Sequence, residues 1–83
     1  MTITLIKPKN FHAILEQIAE EAREYNITFQ QNSTNGYGSG YGFSGEYNVY
    51  NDHILITVIR RPFFISDSKI EREVREYWAK KCA

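Results

Sequence analysis

FSGEYNVYNDHILITVIRR, residues 43–61, folds back on itself once Asn51 and Asp52 are read as a two-residue turn. Val49 then lies opposite Ile54, Tyr47 opposite Ile56 and Gly45 opposite Val58. The apolar faces of both arms coincide in that one register, and a slip of one residue turns every apolar side chain to the wrong face. The spacing predicts a β-hairpin with strands over 41–50 and 53–61. It also predicts positive φ at both Asn51 and Asp52.

On the N-terminal side, TITLIK (residues 2–7) is β-branched and alternating, with Ile3 and Leu5 on one face, and reads as a strand. Pro8 ends it and Asn10 is placed to cap a helix. Phe11, Ile14, Leu15, Ile18, Ala22 and Tyr25 then recur at helical spacing as far as Asn26. ITFQQ (residues 27–31) returns to alternation, with Ile27 and Phe29 inward. The polar, glycine-rich residues 32–40 show no apolar period and read as a loop. On the C-terminal side, Ser68 stands three residues before Glu71, the spacing of a capping box. Ile70, Val74, Tyr77 and Trp78 form the apolar stripe of a second helix, with Trp78 expected to be largely buried. Glu71–Arg75, Arg72–Glu76 and Glu76–Lys80 are spaced as ion pairs along it. The element order is therefore β-α-β-β-β-α. An α+β fold follows: a two-layer sandwich in which a four-stranded mixed sheet carries both helices on one face, within a single domain over residues 1–83. Leu55 and Ile59 fall on the other face, an apolar pair suited to contact with a second copy of the chain.

An 83-residue chain supports one core and no deep enclosed cavity. Ten basic and ten acidic residues cancel, so no global field draws the protein to nucleic acid or to a membrane. The single cysteine, Cys82, has no internal partner, and two distant histidines complete no zinc spacing. These features fit a cytoplasmic protein without metal or cofactor. No apolar run approaches the ~20 residues that cross a bilayer, and the N-terminal run is too short for a signal peptide.

NGYGSGYGFSGEYNVYND, residues 35–52, carries five glycines and four tyrosines. Within it Gly40, Gly42 and Gly45 match Gly-x-Gly-x-x-Gly, but a dinucleotide loop needs a helix N-terminus after it, and a strand follows here. Gly40-Tyr41-Gly42-Phe43 is similar to the middle of the RNA-recognition octapeptide. Ser39, Ser44 and Glu46 depart from that pattern, and the family's intervening helix has no room at Asn51-Asp52. Tyr41 and Phe43 also share a face with Tyr47 and Val49, the face that the helices must cover. No nucleophile stands with a base partner: His12 and His53 read as surface residues and the glutamates as helix faces. No catalytic residue is assigned and the protein is expected not to be an enzyme.

The run FSGEYNVYNDHILITVIRRPFFIS (residues 43–66) followed by KIEREVREYW (residues 69–78) resembles small bacterial proteins associated with polyhydroxyalkanoate systems. The likeness lies in the C-terminal half and in element order. It implies a non-enzymatic accessory protein and assigns no functional residue.

Four strands joined in this order place Lys7 and Lys9, the loop with Tyr37 and Tyr41, and Arg60 and Arg61 at one end of the sheet. Helix N-termini at Asn10 and near Ser66 add positive dipole there. The expected function is a non-catalytic interaction module that binds an anionic ligand or protein partner at this basic end. The alternative is a nucleic-acid-binding domain using the Tyr/Gly loop with Arg60 and Arg61.

Overall fold

The computed structural model describes residues 1–82. Its elements are β1 (Thr2–Ile6), α1 (Phe11–Glu24), β2 (Thr28–Gln31), β3 (Asn35–Gly40), β4 (Phe43–Val49), β5 (His53–Arg60) and α2 (Asp67–Cys82). The five strands form one sheet in the order β1-β5-β4-β3-β2, and every neighbouring pair is antiparallel. The α+β class stands, but the sheet has a fifth strand and is not mixed. β1 and β2 do run the same way, yet they occupy opposite edges with α1 carrying the chain between them.

The hairpin of residues 43–61 has the expected register, with Val49 paired to Ile54, Tyr47 to Ile56 and Gly45 to Val58. Its turn differs from expectation. Positive φ occurs at Asn26, Tyr41 and Gly42, and not at Asn51 or Asp52. The turn is closed by the Tyr50 N–H donating to the His53 carbonyl at 2.9 Å.

The strand that sequence periodicity misses is β3, NGYGSG. Asn32 makes it by folding an Asx turn: its side-chain oxygen accepts from the Thr34 and Asn35 N–H groups, both at 2.9 Å. Ser33 and Thr34 thus suffice to reverse the chain into β3. A second two-residue turn, Tyr41-Gly42, returns it into β4 with φ of 54° and 85°. Positive φ at both positions is the primed turn that matches strand twist.

All three helix-facing residues of β3 are glycines, and neighbouring strands fill the space above them. The Tyr47 ring reaches across from β4 so closely that a Cβ on Gly36 would lie 2.2 Å from Tyr47 Cε1. Phe29 of β2 stacks beside that ring, with centroids 6.1 Å apart and planes 20° apart.

Both helices pack on this one face. Phe11 and Leu15 of α1 bury Tyr47 and Ile54, while Ile70 of α2 buries Ile3 and Leu5. α1 ends in a Schellman arrangement, with Asn26 at φ 57°, Ile27 N–H donating to the Ala22 carbonyl and Asn26 N–H to that of Arg23. Its other end is plainer: Asn10 sits at the N-cap without a side-chain hydrogen bond. α2 is capped by Ser66, whose Oγ accepts from the Lys69 N–H at 3.2 Å, and not by Ser68. Of the expected α2 ion pairs, Glu71–Arg75 forms at 3.0 Å, and Lys69–Glu73 joins it at 3.9 Å. Trp78 is half-buried, less than its stripe predicts, because its indole N–H reaches out to the Ile6 carbonyl at 2.9 Å. Arg75 donates likewise to the Thr4 carbonyl at 3.0 Å. Through these two residues α2 covers the outer edge of β1, where unpaired carbonyls would otherwise invite another strand.

Candidate functional site

The extra strand reverses β4 and β5 relative to a four-stranded arrangement, so the six residues expected at one basic end separate. Ile6 pairs with His53, and the Lys7 N–H donates to the Asp52 carbonyl, which places Lys7 and Lys9 beside the β4–β5 turn. Lys7 Nζ donates to the Tyr50 carbonyl there at 3.3 Å. Val58 pairs with Met1 at the other end of β1, so Arg60 and Arg61 leave β5 at the far end of the sheet. Tyr41 is at the Arg60 end, in the β3–β4 turn. Tyr37 lies in mid-strand on the helix-free face, paired with Gln30 and Glu46. The four cations form no common patch.

The Arg60 end has instead a built surface of exposed aromatics. After β5 the chain enters a turn in which the Ile65 N–H donates to the Pro62 carbonyl at 3.1 Å, so Phe63 and Phe64 are its two central residues. Phe63 is 95% exposed and Phe64 74%, and their rings meet edge to face with centroids 5.6 Å apart. Large apolar side chains are seldom presented to water as an adjacent pair.

The residues around the pair are anchored. Ile65 packs into the core with Ile3, Leu5 and Ile70. The Arg61 guanidinium donates to the Ile65 carbonyl and pairs with Asp67 Oδ1 at 2.9 Å, closing the turn from the outside. Pro62 lies against the β3–β4 turn, where a Cβ on Gly42 would be 3.3 Å from its ring. That turn is tied in its own right: the Tyr41 hydroxyl donates to the Tyr25 carbonyl at 2.8 Å. Tyr25 and Tyr41 are 61% and 72% exposed, so both add aromatic surface to the same end.

The β5 ladder skips Ile59, since Gly45 pairs with Val58 and Ser44 with Arg60. Such a bulge re-aims the strand end. Ile59 is accordingly exposed, and Arg60 forms no ion pair with any described residue. The outcome is a fixed apolar projection with one braced and one free guanidinium beside it.

The chemistry elsewhere is sparse. Among the described residues no three or more His, Cys, Asp or Glu side chains are gathered to hold a metal ion. Among the described residues no helix is long and apolar enough to cross a membrane. A network of Glu21 with Lys81 and Tyr77 joins the two helices. The Lys81 ammonium holds the Glu21 carboxyl below its ordinary range, while burial, then the bond to Glu21, pushes Tyr77 up to about 12. Both shifts describe a structural tie.

Sequence reading found Tyr41, Arg60 and Arg61 of this end but passed over Phe63 and Phe64, which stand in RRPFFIS like a continuation of the core. Pro62 was the available signal, because it stops the strand before them. Comparison with protein-family models, curated proteins and solved structures gives no match.

Proposed function

We propose that this chain is a non-catalytic interaction module that docks a protein partner through the Phe63–Phe64 turn, with Arg60 at its rim. The observation that carries this reading is the pairing of extreme exposure with rigid support: 95% and 74% exposure on a turn whose flanking residues are each anchored. Burying a phenylalanine is worth about 1.5–3 kcal/mol, and a partner recovers that free energy for each ring it covers. Because the turn is already ordered, little conformational entropy is lost on binding. Aromatic residues and arginine are also the side chains that dominate protein interfaces. The complementary partner surface is an apolar pocket with a carboxylate on its rim to meet Arg60.

A protein partner is favoured over a nucleic acid by the same geometry. At this end Arg61 is engaged with Asp67 and Lys69 with Glu73, and Arg23 and the Met1 ammonium lie apart from the turn, on the last turn of α1 and beside Val58. Lys7 and Lys9 are at the opposite end, so too few charges converge for phosphate tracking. The test is quantitative cross-linking capture from native cell extract with wild type, a Phe63→Ser/Phe64→Ser variant and a Lys7→Ala/Lys9→Ala variant. Loss of one wild-type cross-linked protein in the phenylalanine variant alone supports the reading. Equal capture by all three, or steeply salt-dependent binding of random oligonucleotides, overturns it.

A further inference from the structure

A recess of about 480 Å³ is lined by residues at the β2–β3 turn and the adjoining parts of β3 and β4. Its volume is within the range of small-ligand sites. Strand alternation turns Phe29 and Tyr47 toward the helices, so Gln30, Asn35, Tyr37, Glu46 and Asn48 share the helix-free face. The register sets them in two rows. Gln30, Tyr37 and Glu46 stand opposite one another on β2, β3 and β4, and Asn35 stands opposite Asn48 one step nearer the turn. Side chains in such an array are about 5 Å apart across strands and about 7 Å apart along them, the scale of a sugar ring.

The lining differs in composition from the rest of the chain. Five of the nine Asn and Gln residues belong to it, whereas Glu46 is its only charged residue in a chain that is 24% charged. Gln30, Tyr37 and Glu46 are exposed, and neither they nor Asn48 hydrogen-bond to another described side chain. Asn32 is fixed by its Asx turn, and its Nδ2 donates to Asn35 Oδ1 at 2.9 Å. That bond commits the Asn35 oxygen and leaves its Nδ2 hydrogens as donors. An amide offers donor and acceptor side by side, and a carboxylate accepts at two oxygens. Neighbouring sugar hydroxyls each donate and accept, so they match such groups in pairs. Tyr37 is 38% exposed and adds a ring whose negative face receives the C–H face of a pyranose. No Lys, Arg or His belongs to the lining, so an anion finds no counter-charge there.

We propose that this recess binds a neutral saccharide, with Tyr37 stacked on one sugar ring and Gln30, Asn35, Glu46 and Asn48 hydrogen-bonded to its hydroxyls. The β2–β3 turn lies at the end of the sheet opposite Phe63 and Phe64, because the Val49 N–H donates to the Thr34 carbonyl. The site is therefore independent of the docking turn, and either assignment stands without the other.

The probes are maltotetraose, cellotetraose, mannotetraose and tetra-N-acetylchitotetraose, titrated to about 20 mM and followed by backbone amide shifts. At least one should give saturable shifts centred on Gln30, Asn35, Tyr37, Glu46 and Asn48, with a Kd of about 1 mM. Because the ligand is uncharged, that Kd should hold within about twofold between low and high salt. Tyr37→Ala should weaken binding about tenfold while Tyr37→Phe stays within about threefold, since the ring rather than its hydroxyl makes the stack. Asn48→Ala should lose about fivefold, the worth of one hydrogen bond. Arg72→Ala, at an exposed position on α2, should bind as wild type does. Dispersed amide spectra of the free variants establish that each is folded. Absence of saturable shifts with all four sugars, or shifts centred on residues 59–66, overturns the site. Equal affinity of Tyr37→Ala and wild type overturns the stack. Tighter binding of tetragalacturonate or of adenosine than of the best neutral sugar overturns the ligand class. The same shifts on raising protein concentration alone assign the face to a second copy and overturn the proposal.

Discussion

Gly36 and Gly38 lie two residues apart on the same face of β3, and the same substitution should act on them in opposite directions. In a strand, glycine to alanine normally stabilises by about 0.4–1 kcal/mol, because alanine gives up less unfolded-state entropy. At Gly38 nothing opposes that gain: an added Cβ would meet Phe29 Cδ1 at 3.6 Å, an ordinary contact. At Gly36 it would fall 2.2 Å from Tyr47 Cε1, 2.4 Å from Cζ and 2.6 Å from the hydroxyl oxygen. The obstacle is a buried ring held by Phe11, Leu15 and Ile54 beside Phe29, so it cannot swing into water without opening the core. Overpacking costs about 1–3 kcal/mol, and complete loss of a buried aromatic about 3–5. Gly36→Ala should therefore lose about 2–4 kcal/mol, a large part of the stability of so small a domain. In a domain of this size that lowers Tm by about 10–25 °C. Urea unfolding followed by far-ultraviolet circular dichroism measures both variants on one scale. Tyr47→Leu supplies the second arm: with the ring gone, Gly36→Ala should cost less than about 1 kcal/mol relative to that background. If the two alanine variants agree within about 0.5 kcal/mol, or the Gly36 penalty survives Tyr47→Leu, the ring does not occupy the space above β3.

Three further outcomes follow from backbone and charge. Tyr41 holds φ of 54° at a position that asparagine accepts more readily, so Tyr41→Asn should gain up to about 1 kcal/mol despite losing the bond to the Tyr25 carbonyl, as read by urea unfolding. Asp52 has no positive φ to relieve, so Asp52→Gly should lower the melting temperature, where a primed turn would have raised it. Glu21 is held below its ordinary 4.5 by Lys81 in the folded state, so its contribution is full above that pH and disappears as the pH falls through the lowered value. Because the carboxylate is 35% exposed, this contribution should stay under about 1 kcal/mol; comparing wild type with Glu21→Gln at pH 7 and pH 2.5 should show a difference only at the higher pH.

The strands that could be read from sequence are those that carry their own apolar face. β1, β2, β4 and β5 do so, and the β4–β5 register follows residue for residue from the positions of Val49, Tyr47, Ile54 and Ile56. β3 carries none. Its inward positions are glycines because Tyr47 and Phe29 arrive from the strands on either side, so the hydrophobic signal of β3 is written in its neighbours. Only the turn chemistry could have revealed it, through Asn32 two residues before Thr34 and the Tyr41-Gly42 pair. Missing one strand has a consequence out of proportion to its length. Each added antiparallel strand reverses all that follow, and so Arg60 and Arg61 moved from the Lys7 end to the opposite one. The end of the sheet expected for Arg60 and Arg61 was wrong, because topology is a parity, and a single uncounted strand inverts it.

That inversion is also what singles out Phe63 and Phe64. In RRPFFIS three apolar residues are adjacent, and the structure spends only Ile65 on the core. If the other two served the fold, their removal would be costly, since a buried phenylalanine truncated to a small residue loses about 3–5 kcal/mol. Their exposures of 95% and 74% leave little to lose. What remains is their own edge-to-face contact, worth at most about 0.5–1.5 kcal/mol and less in water. The double variant Phe63→Ser/Phe64→Ser should therefore unfold within about 1 kcal/mol of wild type, with unchanged circular dichroism and increased solubility. Single substitutions should be neutral, and the same assay on Ile65→Ser should show a clear loss, because that side chain faces Ile3, Leu5 and Ile70. A loss beyond about 2 kcal/mol in the phenylalanine variant would mean that the rings hold the turn against the sheet, and the docking surface would lose its basis. Stability unaffected by the loss of two large apolar side chains leaves contact with something outside the chain as their use.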